Sequence, residues 1–294
     1  MYPNLSRRRF HVFALAAAAL GGGFSQPASA QAQARPLAFA STDPDAQAGE
    51  LAQWFKTEKL VSLPDDLLIW FFKNIAPATY VSFLKLSARI YREAEFWVRR
   101  QERLPQGWTD QPFVNYIKYR QQPRQIYISW MDGGPDAGAE VIYDETVDKD
   151  QVYGHAGGIL GIQPFWVSLN SALAKTSSNH SLRDMGPQYL ADRFAADNDR
   201  LLRAGGDGRP SKVEILPEVG GRRLVAVTWI RPSGRPNYYG KKIRLGFDLR
   251  KVYVRTFEAW DEDGQIRERI VVDNALARKL ADSEFRPSNP EYKF

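Results

Sequence analysis

The chain has 294 residues, of which 44% are hydrophobic and none is cysteine, and its formal net charge is +6. This length allows one large domain, or a domain with a helical extension, and the hydrophobic share is sufficient for a substantial core. Without cysteine, the composition excludes disulfides, thiolate metal sites, a thiol nucleophile and the lipidated cysteine of a conventional bacterial lipoprotein.

The first thirty residues predict a signal peptide of the twin-arginine type. Three arginines at positions 7–9 precede an apolar run over residues 12–20 and a small-residue cleavage site, Ala28-Ser29-Ala30, in the order that export requires. The run is shorter than the roughly 20 apolar residues that span a bilayer. We therefore expect a periplasmic protein whose mature chain begins near Gln31.

Removal of residues 1–30 takes three arginines and no acidic residue with it. The basic residues then fall from 40 to 37 against 34 acidic residues, which leaves a net charge of +3. Nucleic-acid-binding domains concentrate a larger basic excess on one face, so we expect no nucleic-acid partner.

Residues 31–43 predict a flexible linker, and residues 44–90 predict a helical preface. The linker is polar and rich in alanine and glutamine, a composition that favours disorder. Proline near the first turn is typical of helix starts, and Pro44, Pro64 and Pro77 each precede apolar residues at helical spacing. We expect three helices here, with apolar faces that pack on the rest of the protein.

From residue 91 onward the apolar period changes to two, which is typical of strands. In the first segment Ala94, Phe96 and Val98 alternate with polar or larger residues on the opposite face. Helical pieces are predicted near residues 169–175 and 187–203. The predicted strands cover residues 93–103, 113–119, 124–131, 140–143, 151–153, 163–169, 212–216, 222–231, 242–249, 251–260 and 265–272.

About eleven strands in hairpin order predict an α+β fold. We expect residues 91–294 to form a strongly curved antiparallel sheet, an open half-barrel, with helices filling or flanking it.

Four segments in this order resemble a bacterial family of unknown function, domain-of-unknown-function family 1571. They are residues 122–130 (QPRQIYISW), 139–143 (AEVIY), 154–158 (GHAGG) and 285–294 (FRPSNPEYKF). The resemblance extends over residues 86–294. It implies a distant similarity to lipoprotein carriers of the LolA and LolB type, whose open half-barrel is closed by helices around an apolar cavity for acyl chains.

The resemblance implies no catalytic residues. This sequence departs from the carriers in two respects. It lacks the lipidated cysteine of LolB-type proteins, and its helical preface is not typical of a minimal carrier.

The strand around Trp130 is apolar on both faces, which predicts a cavity, an interface or an ordinary core on the second face. The candidate cavity-lining residues are Tyr127, Trp130, Phe165, Trp166, Trp229 and Phe247. For each of them the alternative is ordinary core packing.

No catalytic or metal site is predicted. His180 with Asp184 at helical spacing is the one conceivable metal pair, but zinc sites without cysteine usually need more histidines. His155 is a conceivable general base, although its neighbouring glycines favour a close backbone approach instead. Ser82 and Lys85 match a Ser-x-x-Lys pattern by chance, and Asp261-Glu262-Asp263-Gly264 predicts a hairpin turn in preference to a calcium loop.

The sequence therefore predicts a periplasmic, non-enzymatic protein that binds an apolar or amphipathic ligand, a lipid or a lipoprotein acyl chain, in a half-barrel cavity. The alternative is an envelope protein-interaction module whose cavity is filled by its own helices, and a hydrolase is least favoured. We expect no cofactor, and the partners are an apolar ligand or an envelope lipoprotein. Peripheral membrane contact and the oligomeric state are left open.

Overall fold

A computed structural model describes residues 37–158, 163–172, 174, 178–217, 221–234 and 238–294. The predicted signal peptide and most of the predicted linker lie outside the described residues. Residues 38–294 form one compact unit.

Four α-helices occur in the described residues. They are α1 (Pro44–Lys56), α2 (Asp65–Asn74), α3 (Pro77–Ile90) and α4 (Pro187–Arg203). Asp43 caps α1, since its side chain accepts a hydrogen bond from the backbone N–H of Ala46 at 2.8 Å, and proline occupies the first helical position of α1, α3 and α4. The three helices predicted before residue 91 and the long helix after residue 186 are confirmed.

All twelve strands of the described residues pair antiparallel. They are β1 (Glu93–Leu104), β2 (Gly107–Trp108), β3 (Phe113–Arg120), β4 (Gln125–Trp130), β5 (Glu140–Asp144), β6 (Gln151–His155), β7 (Phe165–Ser168), β8 (Lys212–Leu216), β9 (Leu224–Ile230), β10 (Lys242–Asp248), β11 (Val254–Trp260) and β12 (Ile266–Ala277). In the segment predicted to be helical near residues 169–175, residues 169–172 form turns and a bend and residue 174 is in a 3-10 helix, while residues 173 and 175 lie outside the described residues.

The main sheet has the strand order β7-β6-β5-β4-β3-β1-β12-β11-β10-β9-β8, and β2 pairs only with β1. Within the described part of the chain its two end strands, β7 and β8, do not pair with each other, so the sheet is an open half-barrel. The predicted fold class is confirmed. A long step in the order joins β1 to β12, so the first and last of the described strands lie side by side at the centre of the sheet.

One face of the sheet, the inner face, carries Phe96 and Ile117 and lies under the helices. α1 packs on α3, α3 packs on α4, and α2 packs on β8 and β9. Phe247 of β10 lies 5.8 Å, centroid to centroid, from both Phe72 of α2 and Phe83 of α3. The predicted helical preface therefore supplies part of the core of the half-barrel.

The opposite, outer face of β3 to β5 is covered by the end of the chain. Tyr127 of β4 stacks on Tyr292 with ring centroids 3.9 Å apart, and Leu280 and Phe285 join the same buried cluster. The strand around Trp130 is apolar on both faces, and both faces are buried. The inner hydrophobic cluster covers one face and the C-terminal segment covers the other.

Phe39, at the end of the predicted linker, stacks on Trp54 of α1 with centroids 5.3 Å apart. Residues 37–43 therefore extend the helical layer. Among the described residues, no individual helix has the length and apolarity needed to cross a membrane; α2 and α3 meet this standard only as a pair, and they are bent by 97°.

Candidate functional site

A cavity of about 210 Å³ lies between the inner face of the sheet and helices α3 and α4. Its walls are mostly apolar. The strands supply Phe96, Val98, Ile117, Phe257, Ile270 and Val272. The helices supply Leu84 from α3 together with Leu190 and Phe194 from α4.

The two-residue period of a β-strand determines which residues of the sheet line the cavity. Alternate residues of a strand share a face, and positions 96, 98, 100 and 102 of β1 all line the cavity. Register brings matching positions of β12 beside them: Val98 pairs with Val272, and Glu102 pairs with Glu268. The wall therefore changes from apolar to charged along one continuous face.

Gly186 fixes the start of α4 over this wall. Its φ is +96°, in the region that favours glycine, and a Cβ there would lie 2.5 Å from the ring of Tyr119. The chain can therefore turn into α4 while passing directly over β3.

The charged end of the cavity contains two buried carboxylates, Glu102 and Glu268, which are 0% and 2% exposed. Glu102 forms an ion pair with Arg100. It also accepts hydrogen bonds from the hydroxyl of Ser178 at 3.0 Å and from the backbone N–H of Asn179 at 2.7 Å. A loop far from β1 in sequence thus completes the hydrogen bonding of Glu102, as a buried carboxylate requires.

Glu268 is satisfied by a second set of groups. The Tyr239 hydroxyl donates to it, and His180 Nε2 lies 3.5 Å from its Oε1 and 2.9 Å from the Tyr239 oxygen. Burial disfavours the charged imidazolium, but the hydrogen bond to Glu268 and the charges of Glu268 and Glu102 dominate and raise the pKa of His180. Burial likewise opposes ionisation of Glu268, yet His180 and Tyr239 lower the pKa of that carboxyl.

Stability is expected to fall as pH rises through the raised pKa of His180. A histidine whose pKa is raised by folding stabilises the protein fully below its unfolded pKa of about 6.5, and that contribution is lost above the folded pKa. Urea unfolding between pH 6 and pH 9 measures this, with His180→Gln as the comparison because its side chain does not titrate. An equal pH dependence in the two proteins would contradict the assignment.

One ligand atom from each of Glu102, His180 and Glu268 lies within 4.8 Å of the others, a spacing that could hold a metal ion. Each carboxylate, however, already accepts hydrogen bonds or an ion pair from the protein. Protein donors therefore satisfy this cluster. His180 pairs with Glu268, whereas the conceivable metal pair considered from the sequence, and disfavoured there, was His180 with Asp184.

None of the six residues predicted to line a cavity is among the lining residues of this one. Trp229 and Phe247, each 1% exposed, are packed in the core behind it, and Trp229 donates from its indole nitrogen to the Gly208 carbonyl at 3.1 Å. Their role as ligand-binding residues stays a prediction.

The other four predicted lining residues lie on β4 and β7. Tyr127 is buried on the outer face, and Trp130 packs against the inner hydrophobic cluster. Phe165 and Trp166 of β7 are 48% and 49% exposed. For these four as well, ligand binding stays a prediction.

Two local predictions are confirmed. A Cβ on Gly157 would lie 2.3 Å from the Ala137 carbonyl oxygen, so the glycines after His155 mark a close backbone approach. Residues 261–264 form a turn in which an Asp261 carboxylate oxygen accepts from the N–H of Asp263 at 3.1 Å and of Gln265 at 2.8 Å.

The site residues that were not predicted from the sequence fall into two groups, one with a sequence signal and one without. Arg100 and Glu102 continue the alternation that already placed Phe96 and Val98 on one face, so the pattern extended by two positions would have found them. Ser178, His180 and Tyr239 lie in loops with no periodicity, and no sequence pattern places them beside β1 and β12.

The fold and the cavity define a half-barrel protein with a largely apolar cavity between the sheet and its helices and with charged residues at one end. The chain belongs to the family described as "Protein of unknown function (DUF1571)", whose model matches residues 91–294. The family membership predicted from the sequence motifs is therefore confirmed. No curated protein matches the chain.

Solved structures similar to the chain include three bacterial proteins. An uncharacterised conserved protein from Thermus thermophilus is 10% identical, with a TM-score of 0.39, over 72% of this chain and 96% of that one. A putative outer membrane lipoprotein-sorting protein domain from Vibrio parahaemolyticus is 8% identical, with a TM-score of 0.32, over 70% and 95%.

The third is a LolA superfamily protein from Nitrosomonas europaea, which is 9% identical with a TM-score of 0.31, over 70% of this chain and 96% of that one. At TM-scores below 0.5, nothing about ligand or partner follows from these matches.

Proposed function

We propose that this is a periplasmic, non-enzymatic protein that binds an apolar or amphipathic ligand, a lipid or a lipoprotein acyl chain, in the cavity under α3 and α4. The observation that carries the proposal is the cavity itself, about 210 Å³ with largely apolar walls. An apolar cavity of roughly 150 Å³ in another protein stays free of water and binds benzene. A chamber of this size and lining therefore favours hydrocarbon over water.

The mixed lining supports an amphipathic ligand over a pure hydrocarbon. The apolar walls lead to the charged end at Glu102 and Glu268 along one face of the sheet. Burial of a hydrocarbon chain contributes about 0.8 kcal/mol per CH₂, and polar groups at the end of such a pocket orient the ligand. The signal peptide predicted in residues 1–30 supports a periplasmic location.

Lipid extraction of the purified protein tests the proposal. Solvent extraction under denaturing conditions followed by mass spectrometry is expected to yield acyl-chain lipids. The delipidated protein is expected to enhance the fluorescence of N-phenyl-1-naphthylamine, an uncharged apolar probe. An empty extract together with no probe uptake would contradict the proposal.

One observation favours the second candidate function, a protein-interaction module. Phe165 and Trp166 are about half exposed on β7, an end strand of the sheet, and exposed aromatics on a strand edge are features of protein-binding surfaces. Failure of both lipid extraction and probe uptake would favour this second function.

A further inference from the structure

The apolar part of the cavity ends at a packed wall of aromatic rings. Phe96, Tyr119 and Tyr253 line the cavity and belong to one buried hydrophobic cluster. The ring of Phe96 lies 6.3 Å, centroid to centroid, from that of Tyr119. Ala94, the preceding β1 residue on the same face, is buried in this cluster and is not part of the cavity lining. Because such a cluster is close-packed, a ligand chain cannot extend past Phe96 along β1.

The strand β1 measures the length of the apolar part. Its lining positions run from Phe96 through Val98 to Arg100, where the charged end begins. Four residues of strand at about 3.3 Å each span about 13 Å. A C–C bond of about 1.5 Å advances an extended hydrocarbon chain by about 1.25 Å per carbon. The apolar part is therefore long enough for about ten carbons of a fully extended chain.

The volume of the cavity sets a second, independent limit. A cavity of roughly 150 Å³ holds benzene, which corresponds to about 25 Å³ per carbon. At this ratio the volume of about 210 Å³ holds about eight carbons. Two chains lying side by side over the same length would need about twice that volume. The space therefore fits one unbranched chain of about eight to ten carbons.

We propose that the cavity binds one unbranched alkyl chain through at most about ten of its carbons, and that a second chain on the same ligand remains outside. This inference rests on the proposed function and adds the length and number of the bound chains. Two sources offer such a segment: a lipid with one short chain, and the end of a longer acyl chain. Phe96 is the specificity-determining residue, since its ring closes the apolar end.

Competition against bound N-phenyl-1-naphthylamine by the 1-alkanols from 1-butanol to 1-dodecanol tests the length limit. These ligands are uncharged and differ only in their methylenes. Affinity is expected to rise about fourfold per methylene, the equivalent of about 0.8 kcal/mol, as far as 1-octanol. Between 1-decanol and 1-dodecanol it should change by less than about twofold in total, because the added methylenes stay outside the cavity.

Glycerides test the number of chains and distinguish the two sources. 1-Monooctanoylglycerol and 1,2-dioctanoylglycerol should bind equally within about twofold, since the second chain gains no buried contact. 1-Monopalmitoylglycerol should bind about as tightly as 1-monodecanoylglycerol if the end of a long chain enters the cavity, and more weakly if the whole chain must fit. Either result supports the length limit.

The variant Phe96→Leu removes the ring from the closed end and leaves space for additional methylenes. The ratio of the affinities for 1-dodecanol and 1-octanol is expected to increase about fifteenfold, the equivalent of two further buried methylenes. Phe165→Leu is the matched control, because it makes the same change in a side chain that is 48% exposed on β7. This ratio should keep its wild-type value in the control.

Three results would overturn the inference while the proposed function stands. They are an affinity that rises about fourfold per methylene through 1-dodecanol, binding of the two-chain glyceride more than about tenfold tighter than that of the one-chain glyceride, and an unchanged ratio in a folded Phe96→Leu variant. The alkanol series with the wild-type protein decides the length limit if that variant does not fold. If the wild-type protein bound neither the probe nor any alkanol, the proposed function would fail as well.

Discussion

Ile270→Trp is expected to weaken uptake of apolar ligands by about fiftyfold. Ile270 lines the cavity from β12, and an indole directed into a space of about 210 Å³ removes room for several methylenes. Loss of three methylenes at about 0.8 kcal/mol each gives this factor. Titration of the delipidated protein with N-phenyl-1-naphthylamine measures it.

Ile230→Trp is the matched control for this prediction. Ile230 is 54% exposed on β9, so the same change of side chain there leaves the cavity open. Probe affinity in this control should equal that of the wild type. Equal probe binding by the Ile270 variant and the wild type would show that the probe binds somewhere other than this cavity.

Phe247→Ala is expected to destabilise the protein by about 3–5 kcal/mol, the usual cost of removing a fully buried phenylalanine from a core. Phe247 is 1% exposed, and its ring contacts Phe72 of α2 and both Tyr80 and Phe83 of α3. Its removal leaves a void at the place where both helices meet the sheet, as urea unfolding followed by tryptophan fluorescence should show.

Phe165→Ala provides the comparison for Phe247→Ala. The same atoms are removed from a side chain that is 48% exposed, and surface substitutions usually change stability by less than about 0.5 kcal/mol. A loss below about 1 kcal/mol for the Phe247 variant would mean that residues 44–90 contribute little to the stability of the half-barrel.

The six aromatic residues predicted to line a cavity lie outside the lining of this one, and ligand binding by them stays a prediction. Trp229 and Phe247 are large enough to fill the space between helix and sheet, so they end in the packed core. The cavity walls carry aliphatic side chains such as Val98 and Ile270 together with aromatic ones such as Phe96 and Phe257. Residue type alone therefore does not separate aromatic residues of the packed core from those that line the cavity.

The two-sided apolarity of β4 has a similar explanation. The pattern predicted a cavity, an interface or an ordinary core on the second apolar face, and the residues there form a buried core cluster. The C-terminal segment covers this face, and Tyr292 of that segment stacks on Tyr127. That segment has no strand or long helix, so its destination on the outer face depends on contacts between residues far apart in the chain.

The sequence by itself determined the helices that begin at proline, the alternation of each strand, the antiparallel hairpin order and the family. These features arise from interactions between near neighbours in the chain, which period and turn residues report directly. The tertiary structure alone decided which face of the sheet the helices cover and where a cavity remains between helices and sheet. It also decided how His180 and Tyr239 come into contact with Glu268. Those outcomes depend on the fit of distant surfaces to one another, and alternation along a strand is the same whichever face is covered.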